Sequence, residues 1–282
     1  MPARSRRAWR PLRVVQYVLL FGVLAANDLP LAWIFATAFK PDTEIARYPP
    51  TFLPHAPTLA NFRNLFTISD FGAYLENSLI VSGITTAATV VFGMLAAYSV
   101  SRFQFRFIRG LGEFALFAYL VPPILVVVPI TQIVIRLRLA DNLAALVVIY
   151  TAILLPFALW VLRSYFRGIT VDIEQAAMVD GCTRLGAFLR VVVPQATPGL
   201  ISTGLFTFNA AWSEYLFASV LLPSPDKRTL SPGLSLLMNQ TGVYSWGLLM
   251  AGAVIVVLPV LVLFVIAQRS MVRGWGAGAL AG

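Results

Sequence analysis

The sequence predicts an all-α integral membrane protein of six transmembrane helices, and three observations predict it. The 282 residues are 59% hydrophobic and only 12% charged, about half the charge of an ordinary soluble domain, and the mean hydropathy is +0.80. Six apolar runs, at about 14–39, 77–101, 112–135, 143–162, 199–222 and 247–267, are each long enough to cross a hydrocarbon layer of ~30 Å. A polar stretch, 167–198, separates the fourth and fifth runs. Membrane strands would alternate apolar and polar residues with period two, and stretches such as 254–267 do not. The first run is too long for a removable signal peptide, and no small-residue cleavage site follows it.

Taken in order, residues 1–13 read as a basic tail, either disordered or lying on anionic headgroups. The first run carries Asn27, Asp28 and Pro30, and an unpaired mid-membrane carboxylate is unfavourable, so Asp28 is expected to face protein or water. Residues 40–76 form the largest external loop. Pro41, Pro49, Pro50, Pro54 and Pro57 predict an extended crossing there, followed by a short amphipathic interfacial helix. The second run holds Ser78, Ser82, Gly83, Thr85, Thr86, Gly93 and Ala96, small residues that let helix backbones approach.

Pro122, Pro123 and Pro129 in the third run, and Pro156 in the fourth, kink or break their helices. Such breaks are tolerated where protein or a water-filled cavity satisfies the freed carbonyls. In the fifth run, Asn209, Trp212, Ser213 and Glu214 interrupt the apolar pattern, and helical spacing puts Asn209, Trp212 and Ser213 on one face. A flat apolar ring beside hydrogen-bonding groups suits a sugar; helix–helix hydrogen bonding is the alternative. Residues 14–268 thus read as one six-helix domain, and 269–282 as a Gly-rich tail.

With the N-terminus inside, inner segments hold fourteen of the 21 Lys and Arg residues and outer segments seven. The positive-inside rule then places both termini and the polar stretch in the cytoplasm. The net charge of +9 follows from topology, and nucleic acid is not an expected partner. Cys182 is the only cysteine, so no disulfide forms within the chain. His55, the only histidine, lies across the membrane from it, which argues against a metal site or a Cys–His pair. No Gly-rich phosphate loop is present, and no Ser–His pair or close carboxylates suggest an enzyme.

Within the polar stretch, Asp172 reads as an N-cap with Gln175 at the third helical position, opening a short helix over 173–179. Ala176 and Ala177 keep its surface low enough for close docking, and Gly181 permits a sharp turn. A second amphipathic helix, 184–192, leads to Pro194. On these grounds the stretch is either a docking element for a soluble partner or an interfacial hairpin without one.

Its spacing resembles the cytoplasmic loop of permease subunits of binding-protein-dependent ABC importers: Glu-Ala-Ala, three residues, Gly, nine residues, an aliphatic, one residue, Leu-Pro. The matching positions are Gln175, Ala176, Ala177, Gly181, Val191, Val193 and Pro194, with Gln175 in place of Glu and Val193 in place of Leu. Phe39-Lys40-Pro41, the 57–62 segment, Asn77-Ser78-Leu79, the Trp212–Glu214 region and Gln268-Arg269 with the Gly-rich tail resemble the carbohydrate-uptake branch. Within it, the chain resembles in particular the second permease of maltose/trehalose-type systems. Ser213 stands where many relatives have Asn, and Ala281 where many have Lys.

The resemblance implies a multi-pass protein of the bacterial inner (plasma) membrane. Its partners would be a second permease, two ATP-binding subunits and a periplasmic or lipid-anchored solute-binding protein that delivers a di- or oligosaccharide. ATP and Mg would be held by the partner ATPases, with no cofactor in this chain. Asp172, Glu174, Gln175, Ala176, Ala177, Asp180, Gly181 and Pro194 would form the ATPase-coupling element, and Asn209, Trp212, Ser213 and Glu214 would line the substrate pathway. Gly276, Gly278 and Gly282 would let an extended tail reach the ATPase interface. The competing reading, a stand-alone secondary transporter of a small polar solute, would call for an internal repeat and paired intramembrane charges.

Overall fold

Long apolar runs become long helices. The structure, a computed structural model, describes residues 10–103, 106–240 and 246–278, and among these residues there is no strand. Four single helices are long and apolar enough to cross a membrane: Arg13–Ala38, Phe71–Arg102, Leu143–Gly168 and Trp246–Gln268. Two bent pairs complete six spans when each pair counts as one, Gly112–Tyr119 with Pro123–Arg136 at 105°, and Arg184–Gln195 with Thr197–Trp212 at 74°.

In chain order the helices are α1 (Arg10–Ala38), α2 (Asp42–Ile45), α3 (Ala60–Ile68), α4 (Phe71–Arg102), α5 (Arg106–Tyr119), α6 (Pro123–Arg136) and α7 (Leu143–Gly168). Then come α8 (Val171–Val179), α9 (Arg184–Ala187), a π turn (Phe188–Val192) and α10 (Val193–Gln195). The last are α11 (Thr197–Trp212), α12 (Leu216–Leu221), α13 (Leu230–Gln240) and α14 (Trp246–Gly278). One sequence expectation is met and two change. The third span breaks outright between α5 and α6, where Pro122 stands as the extended N-cap of α6. The fifth run is interrupted at 213–215 instead of continuing to 222. The Gly-rich tail is helical to Gly278 instead of extended, and its last four residues, like the basic tail before residue 10, lie outside the described residues.

The chain divides into two units, residues 1–69 with 237–257, and 70–236 with 258–282. In the first, side chains close the end of α1. Asn61 Nδ2 donates to the carbonyls of Ala38 (2.9 Å) and Lys40 (2.8 Å), satisfying acceptors that a helix terminus leaves open. Phe62 packs on Phe39 with ring centroids 5.0 Å apart, and the Thr58 N–H donates to the Phe39 carbonyl at 2.8 Å. The Phe39-Lys40-Pro41 and 57–62 motifs are therefore two halves of one cap. Along α1 itself, Asp28 is exposed, and no hydrogen bond or ion pair holds it among the described residues.

In the second unit α4 packs along α7 and α11. Small residues set the approach: a Cβ on Gly93 would lie 2.8 Å from that of Ala158, and one on Gly199 would lie 2.5 Å from the Tyr165 ring. A core of Val81, Leu146, Ile149, Leu154, Phe217 and Leu221 forms at one end, and one of Tyr98, Leu162, Phe166, Phe188 and Val192 at the other. Asn77 Nδ2 donates to the carbonyls of Asp226 (2.9 Å) and Arg228 (3.0 Å), while Ser78 Oγ accepts from the Leu230 N–H at 2.7 Å. The Asn77-Ser78 motif thus pins the segment before α13 to the start of α4.

Candidate functional site

The polar stretch folds as a helical hairpin on the Tyr98 end of the second unit. Its first helix begins two residues earlier than the sequence suggests. Thr170 takes the extended N-cap backbone (φ −63°, ψ 141°) without a side-chain bond, so Asp172 is not the N-cap and Gln175 is not at the third position. The shift places Asp172 and Glu174 inside the first turn, where carboxylates favourably meet the helix dipole. α8 ends in a Schellman arrangement. The Cys182 N–H donates to the Ala177 carbonyl (3.0 Å) and the Gly181 N–H to that of Met178 (3.1 Å), with Gly181 at φ +92°. Thr183 then caps α9, its Oγ1 accepting from the Gly186 N–H at 3.1 Å.

The two faces of α8 differ. Glu174 is 2% exposed and turned inward. It pairs with Arg102 Nε at 2.8 Å through Oε2 and accepts from the Tyr98 hydroxyl through Oε1. Arg102 also donates to the carbonyls of Phe166 (3.3 Å) and Ile169 (3.1 Å). One guanidinium therefore joins the end of α4, the end of α7 and the base of α8. The Tyr98 ring rests on Phe188 at 4.3 Å and edge-on to Phe166 at 6.2 Å, burying the cluster. On the opposite face, Asp172, Gln175, Ala176, Asp180 and Gly181 are exposed, and Val179 is 87% exposed. Ala177 is half-buried and Pro194 is exposed beyond the π turn. Glu174, grouped by the sequence with the docking residues, therefore faces the protein. Tyr98 and Arg102 escaped notice because they lie 76 and 72 residues from Glu174, with no local pattern linking them.

The pathway candidates are not all brought together. Asn209 and Ser213 are exposed, but Trp212 is 3% exposed and stacks on Phe208 at 5.6 Å, so it is no open platform. Ser213 Oγ turns back to the Asn209 carbonyl at 2.8 Å. Glu214 sits at the break after α11. Its carboxylate accepts from the N–H groups of Phe217 (2.9 Å) and Ala218 (3.2 Å), capping α12, and from the Tyr150 hydroxyl. A larger space lies at the α5–α6 break, a cavity of about 620 Å³ lined by Tyr119, Pro122, Pro123, Val126 and Pro156 among others.

Over 274 residues the chain is 35% identical to the sulfoquinovosyl glycerol transport system permease protein SmoH of Agrobacterium fabrum, covering 97% of this chain and 94% of that one. It is 34% identical over 262 residues to the trehalose/maltose transport system permease protein MalG of Thermococcus litoralis, covering 90% and 91%. The fold superposes with TM-score 0.81 and 22% identity on a chain of a bacterial ABC transporter involved in the import of the acidic polysaccharide alginate, covering 95% of this chain and 99% of that one. Residues 89–275 match the family described as binding-protein-dependent transport system inner membrane component. That span holds both the docked hairpin and its Tyr98–Arg102 anchor, and the chain belongs to this family of multi-pass inner-membrane transport components.

Proposed function

We propose that this chain is one permease subunit of an ATP-driven sugar importer, with α8 as the element that couples it to a partner ATPase. The observation that carries the reading is the division of α8 into a face bolted to the transmembrane helices and an exposed face of Asp172, Gln175, Ala176 and Val179. A push on Gln175, Ala176 and Val179 passes through Glu174 and Arg102 into α4 and α7 as one rigid movement. ATP and Mg are held by two ATP-binding partners, and hydrolysis is theirs.

The same reading includes a second permease as partner. α1 carries exposed apolar residues and the exposed Asp28, and a carboxylate at that depth needs protein or water beside it. Both termini and α8 then face the cytoplasm, and an extracytoplasmic binding protein delivers the solute on the other side. The relatives' transport of sugar-bearing compounds points to a di- or oligosaccharide, and the space of about 620 Å³ at the α5–α6 break is within the usual range of small-molecule sites.

The test is reconstitution. The complete complex in liposomes takes up labelled sugar only with ATP and binding protein, and the isolated chain neither hydrolyses ATP nor transports. Uptake by the isolated chain without ATP establishes a secondary transporter instead.

A further inference from the structure

In the second unit, α6 and α7 are joined by residues 137–142 and leave a groove between them. Its volume is about 410 Å³, and every residue lining it is apolar, Leu139, Ala145 and Ile149 among them. Helical spacing builds it. Ile130, Ile133 and Val134 of α6, continued by Leu137 at its C-cap, form one wall. Ala144, Val148 and Ala152, four residues apart on α7, form the other, and the two alanines keep that wall low. Val148 is 68% exposed, so the groove stands open among the described residues. From Ala144 to Ile153 it follows α7 for nine residues, about 14 Å at ~1.5 Å per residue. Half of a hydrocarbon core of ~30 Å is about 15 Å, the depth of one leaflet. The groove thus starts where α7 enters the membrane and ends near mid-bilayer.

Its mouth is positively charged. Leu137 and Leu139 line the groove, and their chain neighbours Arg136 and Arg138 are both exposed. No hydrogen bond or ion pair holds either guanidinium among the described residues. Asp141, the nearest acid along the chain, is already taken by Lys227 at 2.9 Å and by the Ser224 hydroxyl at 2.7 Å. Two uncompensated cations therefore adjoin an apolar groove at the point where it reaches the membrane surface.

We propose that this groove seats one acyl chain of an anionic phospholipid of the outer leaflet, with the lipid's phosphate on Arg136 and Arg138. The leaflet follows from the topology given above. A phospholipid carries both halves of the complement on one molecule, a chain one leaflet long and a negative phosphate at headgroup level. Guanidinium groups are weakly hydrated and bind phosphate oxygens through paired N–H donors, which favours them at that boundary. A zwitterionic lipid fills the groove as well, but its own cation meets the two arginines, so its headgroup gains less. The groove shares only Ala152 and Ile153 with the space at the α5–α6 break, so a seated chain leaves the rest of that space open. The site does not depend on what the complex transports.

Photo-crosslinking in the assembled complex tests this. Nanodiscs of phosphatidylcholine carry a trace of phosphatidylglycerol or of phosphatidylcholine with a diazirine on one acyl chain, and labelled peptides are read by mass spectrometry. Relative to the other spans, the phosphatidylglycerol probe should label residues 130–153 about tenfold more than the phosphatidylcholine probe, the least that one charge-assisted contact gives. The double variant Arg136→Gln/Arg138→Gln should erase that preference. Val148→Trp, which fills the groove from an exposed position and leaves the arginines alone, should remove labelling there by both probes. Equal labelling by the two probes means ordinary boundary lipid and overturns the proposal. So does absence of labelling, a preference that survives either variant, or labelling of the isolated chain that disappears in the complex, which would put a second permease over the groove. Sugar uptake by a complex without the preference overturns this inference alone; the preference in a complex that transports no sugar overturns only the transport reading.

Discussion

Two buried carboxylates, Glu174 and Glu44, hold different kinds of structure together. Glu174 takes its partners from Tyr98 and Arg102, 76 and 72 residues away, and so joins three helices. Glu44 takes its partners from Thr51 and His55, only 7 and 11 residues on, and so ties one loop to itself. Both obey the rule that buried charge must be paired and hydrogen-bonded. Separation along the chain decides the consequence: the Glu174 cluster can carry a force between elements, whereas the Glu44 cluster can only stiffen the segment that contains it.

The largest effect should therefore come from breaking the Arg102–Glu174 pair. Removing one partner strands the other in a buried site, at about 3–5 kcal/mol. Glu174→Ala and Arg102→Ala should each lower the unfolding midpoint of the purified chain and abolish stimulation of the ATPase in the complex. The double variant should be less damaged than the sum of the two, as residues in one network are non-additive. Strict additivity would show that the pair does not act as a unit, and the contrast with Glu44 would fall.

Gly181→Val comes next. At φ +92° a β-branched residue is strained, although nothing lies within 4 Å of where its Cβ would be. The effect is conformational, of order 1–2 kcal/mol, and should appear as lost coupling between ATP hydrolysis and uptake with membrane insertion intact. Gly181→Asn, which tolerates positive φ better, should retain more coupling. Equal loss in both would point to contact with the ATPase instead of the turn. Glu44→Gln is expected to cost about 1–3 kcal/mol. It should expose the 40–58 segment to trypsin while leaving ATPase stimulation unchanged; a coupling defect there would erase the distinction between the two carboxylates.

The same contrast explains what was legible in the sequence. Run length and composition revealed the spans, because crossing lipid constrains every residue of a helix. Gly181 was readable because a positive φ demands a particular residue. The start of α8 was misplaced because Thr170 and Asp172 are both good caps and packing chooses between them. Glu174's inward turn and Trp212's burial could not be read at all, since each depends on partners that only the fold supplies. Phe39-Lys40-Pro41 and Asn77-Ser78 were visible as motifs, and only the structure shows them to be caps closing on distant backbone.

The smallest expected effect is a response to pH. The Thr51 hydroxyl, with the His55 N–H, holds the Glu44 carboxyl below its ordinary value of 4.5 despite partial burial. Lys227 and Ser224 likewise hold Asp141 below 3.8, and Asp141 in turn raises Lys227. A depressed carboxyl contributes stability that is present above its unfolded pKa and is lost as pH falls through the folded one. A raised lysine contributes below 10.5, and its share is lost as pH climbs through the higher folded value. The Asp141–Lys227 pair, at 2.9 Å, is solvent-accessible, so its share is small and screened by salt. The protection of the Ser224 amide against exchange, relative to its intrinsic rate at each pH, should fall in acid, less so in high salt, because its N–H donates to Asp141 at 3.3 Å, and Asp141→Asn should remove that acid dependence. Protection at His55 should fall in acid too, but with little response to salt, because its acceptor Glu44 is buried. A matching salt response at both sites would mean that burial does not separate a local carboxylate knot from an exposed pair.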